Sequence, residues 1–202
     1  MLQEGSVTAI ELAGVDGSVE AEGRDEELAA AARTDSHAFA LLYRRHHLGV
    51  FRFLRARTAS NDEAADLTAV VFERAFAAMG RYRPSGGGVI AWLFTIARNA
   101  ALDAERARRR RRSVVAPETE PQTEPQDPNR LEDGVLARER MAELRDRVER
   151  LPAVQRDAIG LRYAGGLTAR EIAGTLGKSE AATQKLLSRA LAALRESFRE
   201  DA

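Results

Sequence analysis

Residues 167–194 read LTAREIAGTLGKSEAATQKLLSRALAAL, and two helices with a sharp corner between them are written into that stretch. Thr168 followed three residues later by Glu171 is a capping-box start, Gly177 suits the stop of a short helix, and Ser179 can cap the helix that follows. Leu167, Ile172 and Leu176 fall on the face that meets Leu187, Ala190, Leu191 and Leu194 of the second helix. The pair therefore buries one apolar seam and reads as a helix-turn-helix. In that motif the second helix enters the major groove of DNA. With Leu187 turned inward, Ala181, Ala182, Lys185, Ser188 and Arg189 occupy the outer face. A plain helical hairpin with a solvated basic face fits the same residues, and only the rest of the chain separates the two readings.

Upstream, residues 135–150 carry a helical pattern, Pro152 fits the first turn of a further helix, and YAGG (163–166) ends that one. Before them lies SVVAPETEPQTEPQDPNR (113–130), which holds four of the six prolines of the chain and almost no apolar residue. That composition reads as a linker, placed at 113–134, dividing the chain into two small helical domains. The expected fold is all-α, with a first domain at 25–112 and a second at 135–202. Residues 1–24, small and acidic without a sustained period, read as a mobile tail.

Within the first domain, apolar residues recur at helical spacing from Asp25 to Arg57 (Phe39, Tyr43, Val50, Leu54), with a break near RTDS (33–36). SNDEAADLTAVVFERAFAAMG (60–80) starts with a Ser60/Glu63 capping pattern and stops at Gly80. Its inward stripe is Ala64, Leu67, Val71, Ala75 and Ala78; Asp62, Asp66, Ala69, Glu73 and Phe76 face outward with Val70 on the flank. Acids mixed with exposed apolar groups suit a protein partner. RYRPSGGGV (81–89) is a loop by its proline and glycines, and the helix after it ends in RNAALDAERARRRRR (98–112), with seven arginines. On that helix Leu93, Ile96, Ala100 and Ala104 turn inward, while Asn99, Asp103, Arg106 and Arg110 share the opposite side.

The arginines coexist with zero formal net charge, 31 Lys+Arg against 31 Asp+Glu. Residues 1–27 carry eight acids against Arg24, and residues 113–134 carry six against Arg130, so acid and base are segregated along the chain. Either acidic segment can compete with DNA phosphates for the arginines, or both are simply solvated. There is no cysteine, which rules out a disulfide framework, a thiolate zinc site and a cysteine nucleophile. The only histidines, His37, His46 and His47, offer no metal pair or nucleophile-base arrangement, and no nucleotide-binding glycine loop is present. The reading is therefore not an enzyme, with no cofactor and no metal. No apolar run reaches 18 residues and the N-terminus is acidic, so no membrane insertion and a cytoplasmic location are expected.

Three motifs in order, DEAADLTAVVFERAF (62–76), AWLFTIARNAALDAERARRRR (91–111) and LPAVQRDAIGLRYAGGLTAREIAGTLGKSEAATQKLLSRALAALR (151–195), resemble the extracytoplasmic-function (group IV) sigma factors of bacterial RNA polymerase. The resemblance spans Asp25 to Phe198 and covers everything but the tail. It implies a protein that binds core RNA polymerase and directs it to promoter DNA, with the first domain on the polymerase and the −10 element and the second on the −35 element. It also implies an anti-sigma protein as partner, a bacterial cytoplasm with nucleoid association when bound to polymerase, and a linker in the RNA exit path.

Carried onto this chain, the resemblance assigns core-polymerase contact to Asp62, Asp66, Ala69, Val70, Glu73 and Phe76. Relatives often carry Gln and Glu where this chain has Ala69 and Val70. The −10 element falls to Arg81, Tyr82 and Arg83 in the loop, where stacking or pairing with an unstacked base is possible, and to Arg98, Asn99, Asp103, Arg106, Arg109 and Arg110 on the helix, for base edges or phosphates. Trp92 reads as core. The −35 element falls to Gln184, Lys185, Ser188 and Arg189, with Thr168 and Ser179 contacting phosphate from helix starts; position 186 is Leu186, so a guanine-reading arginine is absent there. A one-component helix-turn-helix regulator acting without core polymerase is the alternative, but it leaves the arginine-ended helix and the exposed apolar face unexplained.

Overall fold

The computed structural model of the chain describes residues 23–84, 87–114 and 133–199, and every regular element among them is an α-helix. The acidic tail and the linker expected from composition lie, margins aside, outside the described residues. Helix α1 covers residues 23–31 and gives way to a turn, after which the Asp35 carboxylate accepts from the His37 amide at 2.8 Å and starts α2 (Ser36–Arg55). The break near RTDS is thus an N-cap.

Helix α3 (Asn61–Met79) opens on Ser60, whose hydroxyl accepts from the Glu63 amide at 3.1 Å; the Glu63 carboxylate reaches back to the Ala59 amide rather than to that of Ser60. Its buried face is Ala64, Thr68, Val71, Phe72, Ala75 and Met79, shifted slightly from the expected stripe because Phe72 and Met79 bring more apolar area inward than Leu67 and Ala78. Gly80 ends the helix with ordinary right-handed dihedrals. Helix α4 (Gly88–Val114) begins two residues earlier than expected, with Gly88 at φ +68° making the corner.

The second half follows its sequence closely. Helices α5 (Asp133–Arg150), α6 (Ala153–Tyr163), α7 (Ala169–Leu176) and α8 (Glu180–Arg199) appear where the pattern put them, with Pro152 standing just before α6 instead of inside its first turn. The Thr168/Glu171 capping box is complete in both directions, Gly177 takes the left-handed conformation at φ +62°, and Ser179 Oγ accepts from the Ala182 amide at 3.2 Å.

Two packing facts place the functional surfaces. A small cluster of Leu151, Ile159, Ala190 and Leu194 belongs to the second half alone. The main hydrophobic cluster, however, runs through both halves: Phe53, Leu54, Leu93 and Phe94 of the first pack with Ala158, Leu161, Leu167 and Ile172 of the second. Helices α4 and α7 touch directly, the Thr175 hydroxyl donating to the Ala91 carbonyl at 3.2 Å as well as to its own Glu171 carbonyl at 3.0 Å. The two helical halves are docked.

Candidate nucleic-acid interface

Glycines line the docked seam. A Cβ at Gly49 of α2 would stand 3.2 Å from the Ala164 carbonyl oxygen, and one at Gly174 of α7 would stand 3.5 Å from Gly87 Cα. Gly160 of α6 lies under the Arg57 guanidinium, where a Cβ would come within 2.8 Å of two of its nitrogens. Backbone from one half therefore reaches the other with no side chain between.

Across this seam, Asp157 of α6 is gripped by two arginines of the first half. Its Oδ1 lies 3.1 Å from Arg57 Nη2 and its Oδ2 2.6 Å from Arg98 Nε. Arg57 is held in place from its own side: it donates to the Phe53 carbonyl at 2.8 Å and lies 3.7 Å over the Phe53 ring centroid. It also donates to the Arg156 carbonyl at 3.2 Å. Burial pulls the Arg57 guanidinium below its ordinary pKa although Asp157 works the other way. Beside this group an open cleft of about 410 Å³ separates the halves, with Arg57, Arg98, Arg108, Glu105, Arg156 and Asp157 among its walls.

Sequence reasoning placed Arg98 on DNA but missed Arg57 and Asp157. Asp157 had a signal: on α6 it shares the inward face with Ala158 and Leu161, and an acid on an apolar stripe needs a cationic partner. Arg57 had none, since it follows α2 in an ordinary arginine-rich stretch.

On α4, Asn99, Asp103, Arg106, Arg109 and Arg110 are exposed along one side, as expected. Part of this face is internally paired: Arg106 donates to Asp103 at 3.5 Å, Arg74 approaches the other Asp103 oxygen at 3.8 Å, and Arg109 meets Glu105 at 2.5 Å. These exposed pairs hold weakly, at about 0–1 kcal/mol each, so they yield readily to a phosphate. Arg98 differs, being half-buried and committed to Asp157.

The loop requires a correction. Tyr82, assigned to base stacking, is 4% exposed. Its hydroxyl donates to Glu26 of α1 at 2.9 Å and its ring packs on Trp92 at 4.9 Å between centroids. Burial first, then the Glu26 carboxylate, push its pKa up. Glu26 also accepts from the Val89 amide at 2.5 Å, so one acid ties α1 to both sides of the loop and the aromatic pair is core. Trp92 was read as core, and its packing against the main cluster agrees. Arg81 and Arg83 remain exposed, Arg83 donating to the Tyr82 carbonyl at 2.9 Å. A Cβ at Gly87 would stand 3.4 Å from Glu171 Cα of α7, so the end of this loop packs against the second half.

On α8, Gln184, Lys185, Ser188 and Arg189 are all exposed. Leu186 is half-buried and packs toward the main cluster, so position 186 does structural work in this chain. The Thr168 hydroxyl is occupied by the capping box, donating to Glu171 Oε2 at 2.7 Å and accepting from the Glu171 amide; the Ser179 hydroxyl is exposed and used as a cap.

On α3, Asp62, Asp66, Ala69, Glu73 and Phe76 are exposed and Val70 is half-buried. Phe76 is 53% exposed although its ring meets Phe39 edge-on at 5.0 Å, and Tyr43, 42% exposed, stands beside Phe72 at 4.7 Å. The result is an apolar surface of Phe39, Tyr43 and Phe76 rimmed by acids. Among the described residues no cluster of His, Cys, Asp and Glu could hold a metal ion, and no helix is long and apolar enough to cross a membrane.

Fold and site together define an all-helical protein that carries a helix-turn-helix and a second, arginine-ended helix of the kind that meets nucleic acid. Comparison with known proteins is consistent throughout. Residues 42–112 match Sigma-70 region 2 and residues 141–194 match Sigma-70 region 4. Over 176 residues the chain is 35% identical to the ECF RNA polymerase sigma factor BldN of Streptomyces coelicolor, covering 87% of this chain and 65% of that protein. It is 30% identical over 183 residues to the ECF RNA polymerase sigma factor SigD of Mycobacterium tuberculosis, covering 89% and 85%. Among solved structures, CnrH in complex with the cytosolic domain of CnrY matches with a TM-score of 0.68 at 24% identity, over 89% of this chain and 99% of that one. The sigma factor RpoE in complex with the anti-sigma factor NepR from Bartonella quintana gives 0.60 at 24% identity, over 81% and 98%. The chain belongs to the extracytoplasmic-function sigma factors of the sigma-70 family.

Proposed function

We propose that the chain binds core RNA polymerase through the α3 surface around Phe76 and directs it to promoters read by α4 at the −10 element and α8 at the −35 element. The observation that carries this reading is the pairing of two outward polar faces on separate helices: Asn99, Arg106 and Arg110 on one, Gln184, Lys185, Ser188 and Arg189 on the other. Asparagine, glutamine and arginine are the side chains that read base edges, while the neighbouring arginines supply phosphate contacts. Phe76, exposed among acids, supplies the apolar anchor that a protein interface needs at its centre.

Two proteins of like fold are seen in complexes, the Bartonella RpoE with the anti-sigma factor NepR and CnrH with the cytosolic domain of CnrY, and an anti-sigma partner is inferred for this chain from that likeness. No catalytic role is assigned to any side chain. Run-off transcription with purified core polymerase on promoter fragments tests the reading: specific transcripts that require this protein support it, and their absence on every fragment, with operator-like DNA binding that needs no polymerase, would support a one-component regulator instead.

A further inference from the structure

The Asp157 clamp has a geometry that an anion other than Asp157 can use. Both guanidiniums belong to the first half, and Arg57 is oriented by Phe53 of that half through its carbonyl and its ring. Arg57 thus keeps one hydrogen bond and its ring contact within the first half when α6 leaves, while its bonds to Arg156 and Asp157 and the Arg98–Asp157 bond are lost. Two arginines converging on two oxygens of one anion is the arrangement that suits a carboxylate and a phosphodiester alike. The first-half wall of the cleft adds Arg108, itself 3.8 Å from Glu63, to Arg57 and Arg98, against Glu105, so removing α6 leaves three arginines against two acids, and Arg98 is next in sequence to the outward-facing Asn99.

The docked chain is also too small for the DNA assigned to it. The −10 and −35 elements lie about 25 base steps apart, about 85 Å at 3.4 Å per step, whereas a compact chain of this length has a radius of gyration of about 16 Å. Engaging both elements requires the halves to part. Parting strips Asp157 from Arg57 and Arg98 and opens both guanidiniums to another anion.

We propose that Arg57 and Arg98 form a phosphodiester-binding site for the promoter backbone, and that the Asp157 carboxylate occupies this site in the docked chain. Docking and DNA binding are then alternative uses of one pair of arginines: promoter phosphate displaces Asp157 and holds the halves apart, and the free chain shields its own DNA site. The inference rests on the sigma-factor reading and adds to it a residue, Arg57, and an intramolecular competitor, Asp157. The anion is committed to the DNA backbone rather than to a free phosphate, because Arg98 shares α4 with the outward-facing Asn99, Arg106 and Arg110.

The test uses the full chain, which has no native cysteine, with dyes on cysteines introduced at the exposed Ala77 and Ala192. Energy transfer reports docking, and anisotropy of labelled forked −10 DNA across a salt series reports binding. Asp157→Asn is expected to lower energy transfer and tighten DNA binding; a chain docked nine-tenths of the time gains about tenfold on opening. One added phosphate contact steepens the salt slope by about 0.9. Adding Arg57→Gln to Asp157→Asn should keep the chain open yet cancel both gains, and Arg57→Lys should restore the slope with only part of the affinity. Helicity by circular dichroism identifies any variant that has failed to fold, and the Lys variant then carries the comparison.

Opening without tighter binding overturns the phosphate site, and unchanged energy transfer in Asp157→Asn overturns Asp157 as its occupant. Inorganic phosphate at millimolar concentration should neither open the wild-type chain nor compete with DNA beyond its ionic strength; if it does both, the site is one for a free anion and the DNA assignment falls. Wild-type run-off transcription is measured alongside: promoter-specific transcripts together with any of these negative results overturn this inference alone, while their absence overturns the sigma-factor reading.

Discussion

Replacing Gly49 with leucine should force the two halves apart while strengthening the half that carries the change. Gly49 sits inside α2, and a Cβ there would already be 3.2 Å from the Ala164 carbonyl oxygen, 3.6 Å from Phe94 Cζ and 3.8 Å from Gly165 Cα. The first and last of these are backbone atoms of the second half, which cannot swing aside as a side-chain end can, and leucine must place three further carbons in the same space. Overpacking of this kind costs about 1–3 kcal/mol, so docking should weaken by roughly 5-fold to 150-fold. The helix itself responds with the opposite sign: leucine in place of glycine in a helix interior stabilises by roughly 0.8 kcal/mol, about 3–6 °C in the midpoint of a domain this size.

Energy transfer between labelled positions 77 and 192 measures docking, and circular dichroism measures helicity through thermal unfolding. The expected result is lower transfer at full helicity, with the first half melting as a separate transition. Gly49→Ala is the graded control, needing only a few tenths of an ångström at Ala164 and expected to stay docked while gaining about 0.5–1 kcal/mol. Unchanged transfer in the leucine variant would refute the claim that backbone contact at Gly49 sets the seam, and lost helicity would show that Gly49 serves the first half internally.

The remaining expectations address separate parts of the chain. Tyr82→Phe removes the hydrogen bond to Glu26 and should lower stability by about 1–2 kcal/mol without changing affinity for a forked −10 DNA; a selective loss of −10 binding at unchanged stability would return Tyr82 to the DNA surface. Asp25 lies beneath His46 at 3.2 Å and Arg45 at 2.5 Å; burial opposes its charge, but these two neighbours more than offset that, and its carboxyl sits below its ordinary value of 3.8. A depressed folded value contributes stability that is present above the unfolded pKa and lost as pH falls through the folded one, so Asp25→Asn should flatten the stability profile below about pH 4, as read by urea titration at successive pH. Phe76→Asp should abolish co-elution with core polymerase while lowering stability only by the roughly 0.5–1.5 kcal/mol of its edge-on contact with Phe39; normal co-elution would remove α3 from that interface. Lys185→Ala with Arg189→Ala should weaken binding through the −35 element by about 1–3 kcal/mol per base-reading contact, and an equal response to swapping the −10 element would show that α8 does not read the −35 element.

Local signals were sufficient for the second half. The Thr168/Glu171 box, Gly177 and Ser179 each act within a few residues, and the geometry around each is what the sequence implies. The outward side of α4 was legible for the same reason, since helical spacing alone separates Asn99, Asp103, Arg106 and Arg110 from the buried Leu93 and Ala100. Tyr82 was misread because nothing near it in sequence reveals its partner, Glu26, 56 residues earlier. An aromatic between two arginines looks the same whether its hydroxyl meets a nucleotide or a buried carboxylate.

Docking, too, lay beyond sequence. Periodicity shows that α6 and α7 have apolar faces, but not whether Leu161 and Ile172 pack within their own domain or against Phe94 of another. Glycines at 49, 87, 160 and 174 carry no mark distinguishing a seam from an ordinary helix position. The pairing of Asp157 with Arg57 joins residues 100 apart. Local chemistry set the helices, their caps and their polar faces because those depend on spacings of three and four residues; which faces meet, and which arginines are left for DNA, depended on contacts that exist only once the chain has come together.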